Sequence, residues 1–174
     1  MHQPQTHPPQ AHPAERIEFR VAGFADLDAR TLHDLLKLRV DVFVVEQECA
    51  YPELDGRDVE PGARHLWLSR NGVPFAYLRL LSDPGGVERI GRVAVARADR
   101  GGGHAGRLMT EALAVVGHRT CVLDAQTRLV DFYARYGFTP TGPEYVEDGI
   151  PHVPMRRDPV DRPRVGGSVA TEAR

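Results

Sequence analysis

The chain has 174 residues, 41% of them hydrophobic and 26% charged, with a formal net charge of -2. That length suffices for one domain with a full hydrophobic core and is short for two. The charge balance argues against a polybasic nucleic-acid binder, no apolar run approaches the ~20 residues of a membrane span, and no signal-peptide h-region opens the chain.

Neither nucleic acid nor membrane is therefore expected as a partner. Cys49 and Cys121 stand in unrelated contexts without CxxC spacing, so a reducing cytoplasm is the expected compartment. Both read as small buried residues. Residues 1–14, MHQPQTHPPQAHPA, hold four prolines, three histidines and three glutamines but no Lys, Arg, Asp or Glu. Such a segment has nothing to bury and predicts a disordered tail. Proline-spaced His2, His7 and His12 lack a fixed geometry for metal, and no metal site is expected. A single domain over 15–158 and a second tail over 159–174 complete the expected organisation.

RIEFRVAG (16–23) alternates like a strand, with Ile17, Phe19 and Val21 on one face. Asp26 or Asp28 can cap a helix in which Leu32, Leu35, Leu36, Arg39, Val40 and Phe43 recur at helical spacing. HLWLSRNGVPFAYLRLLSD (65–83) is two apolar runs around Asn71-Gly72, a hairpin turn. His65 opens the first run as a strand-start histidine. GVERIGRVAVAR (86–97) predicts the next strand, and Leu108, Met109, Ala112, Leu113 and Val116 form the stripe of a second long helix. TCVLDAQ (120–126) predicts a short strand, and RLVDFYARYGF (128–138) a helix ended at Gly137. Two short strands fit around 138–146 and 150–157. The order implies an α+β fold: a mixed, largely antiparallel sheet flanked by helices, with one parallel crossover in its second half.

RADRGGGHAGRLM (97–109) carries the chemistry. A glycine-rich loop entering a helix presents backbone N–H groups to a phosphate. GxxxxGK[ST] is not met, because His104, Ala105 and Gly106 follow the glycines and no lysine is at hand. Gly101, Gly103 and Gly106 do satisfy GxGxxG. Against a dinucleotide site, ARADR separates the glycines from the strand, Arg97 and Arg100 flank the loop, and too little chain follows Asp124 for a doubly wound sheet.

Read from Arg100, the loop Arg100-x-x-Gly103-x-Ala105 resembles the pyrophosphate loop of the GNAT N-acetyltransferases, R/Q-x-x-G-x-G/A. LDAQTRLVDFYARYGF resembles that family's next strand and helix, with Gln126 seven residues before Tyr133. LLKLRVDVFVVEQECAYPELDGRD (35–58) and EYVEDGIPHVPM (144–155) resemble blocks of the ElaA-like group. With ERIGRVAV, the resemblance spans residues 16–157. His104 departs from the usual aliphatic residue, and Ala105 from the commoner glycine.

The resemblance implies the acyl-CoA N-acyltransferase fold, acetyl-CoA as cofactor, and direct acetyl transfer to a small-molecule or protein amine. It implies that strand 90–96 splays from TCVLDAQ, so that backbone at Val93, Ala94 and Val95 pairs with the pantetheine arm. N–H groups of Gly101, Gly102, Gly103, His104, Ala105 and Gly106 would ring the pyrophosphate, Gln126 would contact the cofactor, and the Arg100 side chain is a candidate for phosphate charge that fits solvated surface equally well. Arg97 and Arg107 are further candidates for phosphate charge. Tyr133 would protonate the departing thiolate; by position alone it fits an aromatic core residue equally well. No carboxylate lies inside strand 90–96, which leaves the base open among Glu46, Glu147 and His152. Gln47 and Asp148 are further polar groups of the same two blocks, and each of these residues also fits exposed loop polarity. A non-catalytic acyl-CoA sensor and an enzyme like the acyl-homoserine lactone synthases are the alternatives. Exposed strand edges in this fold allow a homodimer.

Overall fold

The computed structural model describes residues 16–159. The tails expected at 1–14 and 159–174 lie outside these apart from residue 159, as do His2, His7 and His12. Strand β1 (Ile17–Ala22) leads into helix α1 (Ala29–Val40). Of the two candidate caps, Asp28 is the one used. Its Oδ1 accepts from the Thr31 amide at 2.9 Å and its Oδ2 from the Thr31 hydroxyl at 2.7 Å, satisfying a donor of the first turn. Where sequence spacing extends the helix to Phe43, the α geometry stops at Val40 and continues as a wider π turn, Asp41–Glu46. Such a turn changes which face the following residues present.

Strands β2 (Arg64–Arg70) and β3 (Val73–Asp83) form the expected hairpin. Asn71 and Gly72 both lie in the left-handed region, φ 51° and 85°, the geometry that matches strand twist in a two-residue turn. Then come β4 (Val87–Val95), α2 (His104–Val116), β5 (Cys121–Gln126), α3 (Val130–Ala134), β6 (Thr139–Pro140), β7 (Tyr145–Glu147) and β8 (Ile150–Arg157). The eight strands make one sheet in the order β1-β2-β3-β4-β5-β8-β6, with β7 on β8. Among the described residues only the β4–β5 pair is parallel. The expected α+β architecture and its single parallel crossover are present.

The central strands are buried on both faces, which is why β2 and β3 read as near-continuous apolar runs. Alternate residues serve two cores. Leu66, Leu68, Ala76, Leu78 and Leu80 meet Leu108, Met109, Ala112 and Val116 of α2. Trp67 and Tyr77 point the other way, to Leu35, Leu38 and Val42. His65 is buried as well, with Nδ1 2.8 Å from the Tyr77 hydroxyl and Nε2 3.2 Å from the Asp58 carbonyl.

Two further elements differ from expectation. The helix expected over 128–138 is α3, five residues, entered by a 3-10 turn at Thr127–Leu129. It unwinds early: the Tyr136 amide donates to the Tyr133 carbonyl, Gly137 turns the chain at φ 84°, and Phe138 drops into the core at 1% exposure. The strand expected around 138–146 is split into β6 and β7. Pro140 and Pro143 cannot donate to a ladder, so the pairing is broken between them.

Candidate active site

The site begins where two strands part. β4 and β5 pair through Glu88↔Cys121 and Arg89↔Val122 and no further, although they run on to Val95 and Gln126. The gap opens into a cleft of about 1000 Å³. Along β4 the register with β3 slips: Arg79 faces Gly91, yet Tyr77 faces Ala94. Three steps on β4 span two on β3, a bulge of one residue. Arg92, inside it, has φ 54°. Val93, Ala94 and Val95 follow and line the cleft.

At one end of the cleft lies the glycine-rich loop. A 3-10 turn, Arg97–Asp99, carries the chain off β4, and the Asp99 carboxylate is held by Arg70 at 2.5 Å. Gly101 (φ 84°) and Gly103 (φ 75°) take left-handed conformations, which favour glycine. Helix α2 starts at His104, and its first intrahelical bond runs from the Arg107 amide to the Gly103 carbonyl, 3.0 Å. The amides of His104, Ala105 and Gly106 thus belong to the turn whose N–H groups have no acceptor in the helix. These three residues line the cleft together with Arg100, Gly101 and Gly103.

Gly102 departs from the expected ring. It is exposed and does not line the cleft, and a Cβ there would meet His104 Nε2 at 2.6 Å. His104 itself packs edge-on against Phe75, centroids 4.9 Å apart. Arg97 and Arg107 do not line the cleft either. A Cβ on Gly106 would come within 2.7 Å of the Tyr136 hydroxyl, so a larger residue there would make Tyr136 shift.

Arg100 is already engaged. Its Nε donates to the Val95 carbonyl at 3.1 Å, and Nη1 and Nη2 grip both Glu46 oxygens at 2.5 and 2.8 Å. This fork holds the exposed Glu46 carboxyl below the ordinary carboxylate range. Gln126, across the gap, donates to Gln47 Oε1 at 3.4 Å and accepts from Arg128 at 2.7 Å. Tyr133 of α3 also lines the cleft; burial pushes its phenol up to about 12. Its ring sits edge-on to Phe132 at 5.0 Å, and its hydroxyl has no hydrogen-bond partner among the described residues.

The other wall is β7–β8. His152 lies opposite Gln126 in the β5–β8 register and opposite Tyr145 in β7–β8. It stacks on Tyr145, centroids 5.9 Å apart, and its Nδ1 is 2.8 Å from the Ile150 carbonyl. A carbonyl only accepts, so Nδ1 carries the proton and Nε2 the lone pair in the neutral ring. Glu147 and Asp148 line the mouth and are exposed. Cys121 is buried, its thiol pushed up to about 12 by burial. Cys49 is not a core residue as expected: it is half-buried on the cleft wall, 3.4 Å from the Asp148 carbonyl.

Sequence reasoning missed a set of charges under the cleft. Arg39, fully buried on α1, bonds Glu53 at 2.5 Å and Asp58 at 2.6 Å. Asp58 also binds Arg79 at 3.0 Å, and Arg79 binds Asp55 at 2.5 Å. Asp55 lies 3.4 Å from Arg92, and Arg92 is 2.6 Å from Glu53. Three guanidiniums and three carboxylates alternate in a closed ring. The available signal was an arginine on the apolar stripe of α1 and another, Arg79, inside an apolar strand.

Residues 31–159 match the family model of the acetyltransferase (GNAT) domain. The chain belongs to the GNAT acetyltransferase family. Within it, the chain is similar to the ElaA-like group in both sequence and structure. UPF0039 protein Rv2851c of Mycobacterium tuberculosis is 54% identical over 136 residues, 76% of this chain and 87% of that protein. The crystal structure of Escherichia coli ElaA is 37% identical with a TM-score of 0.78, covering 82% of this chain and all of ElaA. An acyl-CoA N-acyltransferase of Pseudomonas aeruginosa is 41% identical with a TM-score of 0.77, covering 80% and 99% of the two chains. The fold is thus the GNAT acyl-CoA N-acyltransferase fold. No described helix is long and apolar enough to cross a membrane.

Proposed function

We propose that this GNAT protein transfers the acetyl group of acetyl-CoA to a primary amine by direct attack in a ternary complex. The observation that carries the reading is the parted β4–β5 pair leading to a left-handed glycine loop at the head of α2. The residues fit coenzyme A: a Cβ on Gly101 or Gly103 would meet nothing within 4 Å, so the loop faces open space. A pyrophosphate there meets the first-turn amides and the positive end of the α2 dipole. Backbone at Val93, Ala94 and Val95, which β5 leaves unpaired, receives the pantetheine arm. When bound, the cofactor supplies an acetyl thioester.

His152 Nε2 takes the proton of the attacking amine, while the Nδ1–H bond to the Ile150 carbonyl keeps the ring in the accepting tautomer. With that thioester bound, C–N bond formation would expel the thiolate, and the Tyr133 hydroxyl would donate its proton to the leaving sulfur. A phenol raised by burial remains protonated at neutral pH, as that role requires. Glu46, forked to Arg100, acts as the partner of that arginine and not as the base. Glu147 at the mouth draws the cationic amine in.

Millimolar acetyl-CoA should raise the melting temperature by several degrees, since ligand at 100 times its Kd adds about 2.7 kcal/mol. Equal NAD or ATP should not. No shift with acetyl-CoA removes the proposal; saturable binding without thiol release across a broad amine panel replaces it with an acyl-CoA sensor. Tyr133→Phe should cut kcat on the order of 10²-fold with CoA affinity nearly intact. Full turnover in that variant would take Tyr133 out of the mechanism.

A further inference from the structure

We infer that Arg92 is a positioning residue: clamped by the buried charge ring, it sets the β4 bulge that aims Val93–Val95 into the cleft. The inference rests on the reading of that segment as the cofactor-facing backbone. A left-handed conformation is unfavourable for arginine because its Cβ crowds the following carbonyl. Gly91, its neighbour, has no positive φ and open space around it. The chain thus places glycine where none is needed and arginine where glycine would be easiest. The side chain must supply what the backbone loses.

The clamp is visible. Arg92 Nε forms an ion pair with Glu53 Oε2 at 2.6 Å outside hydrogen-bond geometry, and Nη2 donates to the Glu53 carbonyl at 3.5 Å and to Asp55 Oδ2 at 3.4 Å. The Tyr51 ring covers the guanidinium at 5.5 Å, and the Tyr51 hydroxyl donates to Glu53. Glu53 and Asp55 are held in turn by Arg39 of α1 and Arg79 of β3. The loop from 51 to 58 therefore fastens the bulge to two rigid elements.

The bulge changes which way β4 faces. Ile90 packs in the α2-side core, and in a regular strand Ala94 would share its face. Instead Ala94 packs on the α1 side, with Val93 and Val95 against the α2 side. An extra residue inverts the alternation. It also inverts which peptide groups point toward β5, and it does so beyond the last β4–β5 pair. Losing the bulge returns the segment to regular strand and turns those groups away.

Three variants test this: Arg92→Ala, Arg92→Gly and Arg92→Lys. Glycine takes the left-handed conformation without a clamp, alanine does not, and lysine keeps charge without the fork. In the ligand-free proteins, NMR couplings and amide shifts should show residues 92–95 leaving the bulge in Arg92→Ala and keeping it in Arg92→Gly. CoA binding, read by calorimetry, should weaken about tenfold in Arg92→Ala and be largely restored in Arg92→Gly, with Arg92→Lys between them. An unchanged bulge in Arg92→Ala overturns the inference, and so does an Arg92→Gly protein as impaired as Arg92→Ala. If the natural protein binds no CoA, the acetyl-CoA reading fails, while the NMR comparison still decides the role of Arg92.

Discussion

Arg39→Met should destabilise the protein by about 3–5 kcal/mol, the cost of stranding buried carboxylates without their cation. In a domain this size that is a fall of roughly 10 °C in melting temperature. Methionine keeps the length and packs well, so the loss is electrostatic and not a cavity. Glu53 and Asp58 would be left with Arg92 and Arg79 alone, in a ring carrying three negative charges and two positive. Adding Glu53→Gln rebalances the ring, and the double variant should recover about 1 kcal/mol or more. A further signature lies in pH. Burial alone would raise the Asp58 carboxyl, but the Arg39 hydrogen bond and the nearby Arg39 and Arg79 charges hold it below its ordinary value. A depressed carboxylate stabilises the fold above its unfolded pKa, about 3.9, and that stability is lost as pH falls through the folded value. The natural protein should therefore lose stability below about pH 4, and the gap to Arg39→Met should narrow there. Denaturation midpoints at pH 7 and below pH 4 check both points; a gap constant with pH would mean that Arg39 contributes packing only.

Much of the fold was readable because its signals are local. Asn71-Gly72 demands a left-handed pair, Asp28 offers an oxygen three residues before an amide, and the glycines at 101 and 103 announce positive φ. The bulge was not readable. Its left-handed residue is an arginine, which has no such preference, and what stabilises it comes from Glu53 and Asp55, far along the chain. The ring was half-readable: Arg39 stands out on an apolar stripe, yet its partners lie 14 and 19 residues away in a loop without periodicity. The end of α3 was misjudged for a similar reason. YARYGF continues a helical pattern, but burial of Phe138 outweighs the last turn of backbone bonds. Within the candidate site, the loop and Tyr133 carried motif signals. His152 carried none beyond its block, because its tautomer is set by the fold of the β7–β8 turn.

His152→Gln should lower the rate at neutral pH by roughly 10²–10³-fold, the usual contribution of a positioned base. Glutamine can still donate to the Ile150 carbonyl but offers no basic lone pair, so the wall of the cleft survives. The diagnostic lies in how the deficit varies. Without a protein base the amine must lose its proton to water before it attacks. A primary amine with a pKa near 10 then gains about tenfold in its neutral fraction per pH unit. The variant should recover accordingly between pH 7 and pH 9, and its deficit should shrink. CoA affinity should stay unchanged, because His152 lies on the β7–β8 wall while the pyrophosphate loop is built on α2. A deficit independent of pH, or one that appears in CoA binding, would mean that the imidazole only holds Tyr145 and the turn in place. The base would then have to be sought at Glu147, the remaining candidate that no arginine holds.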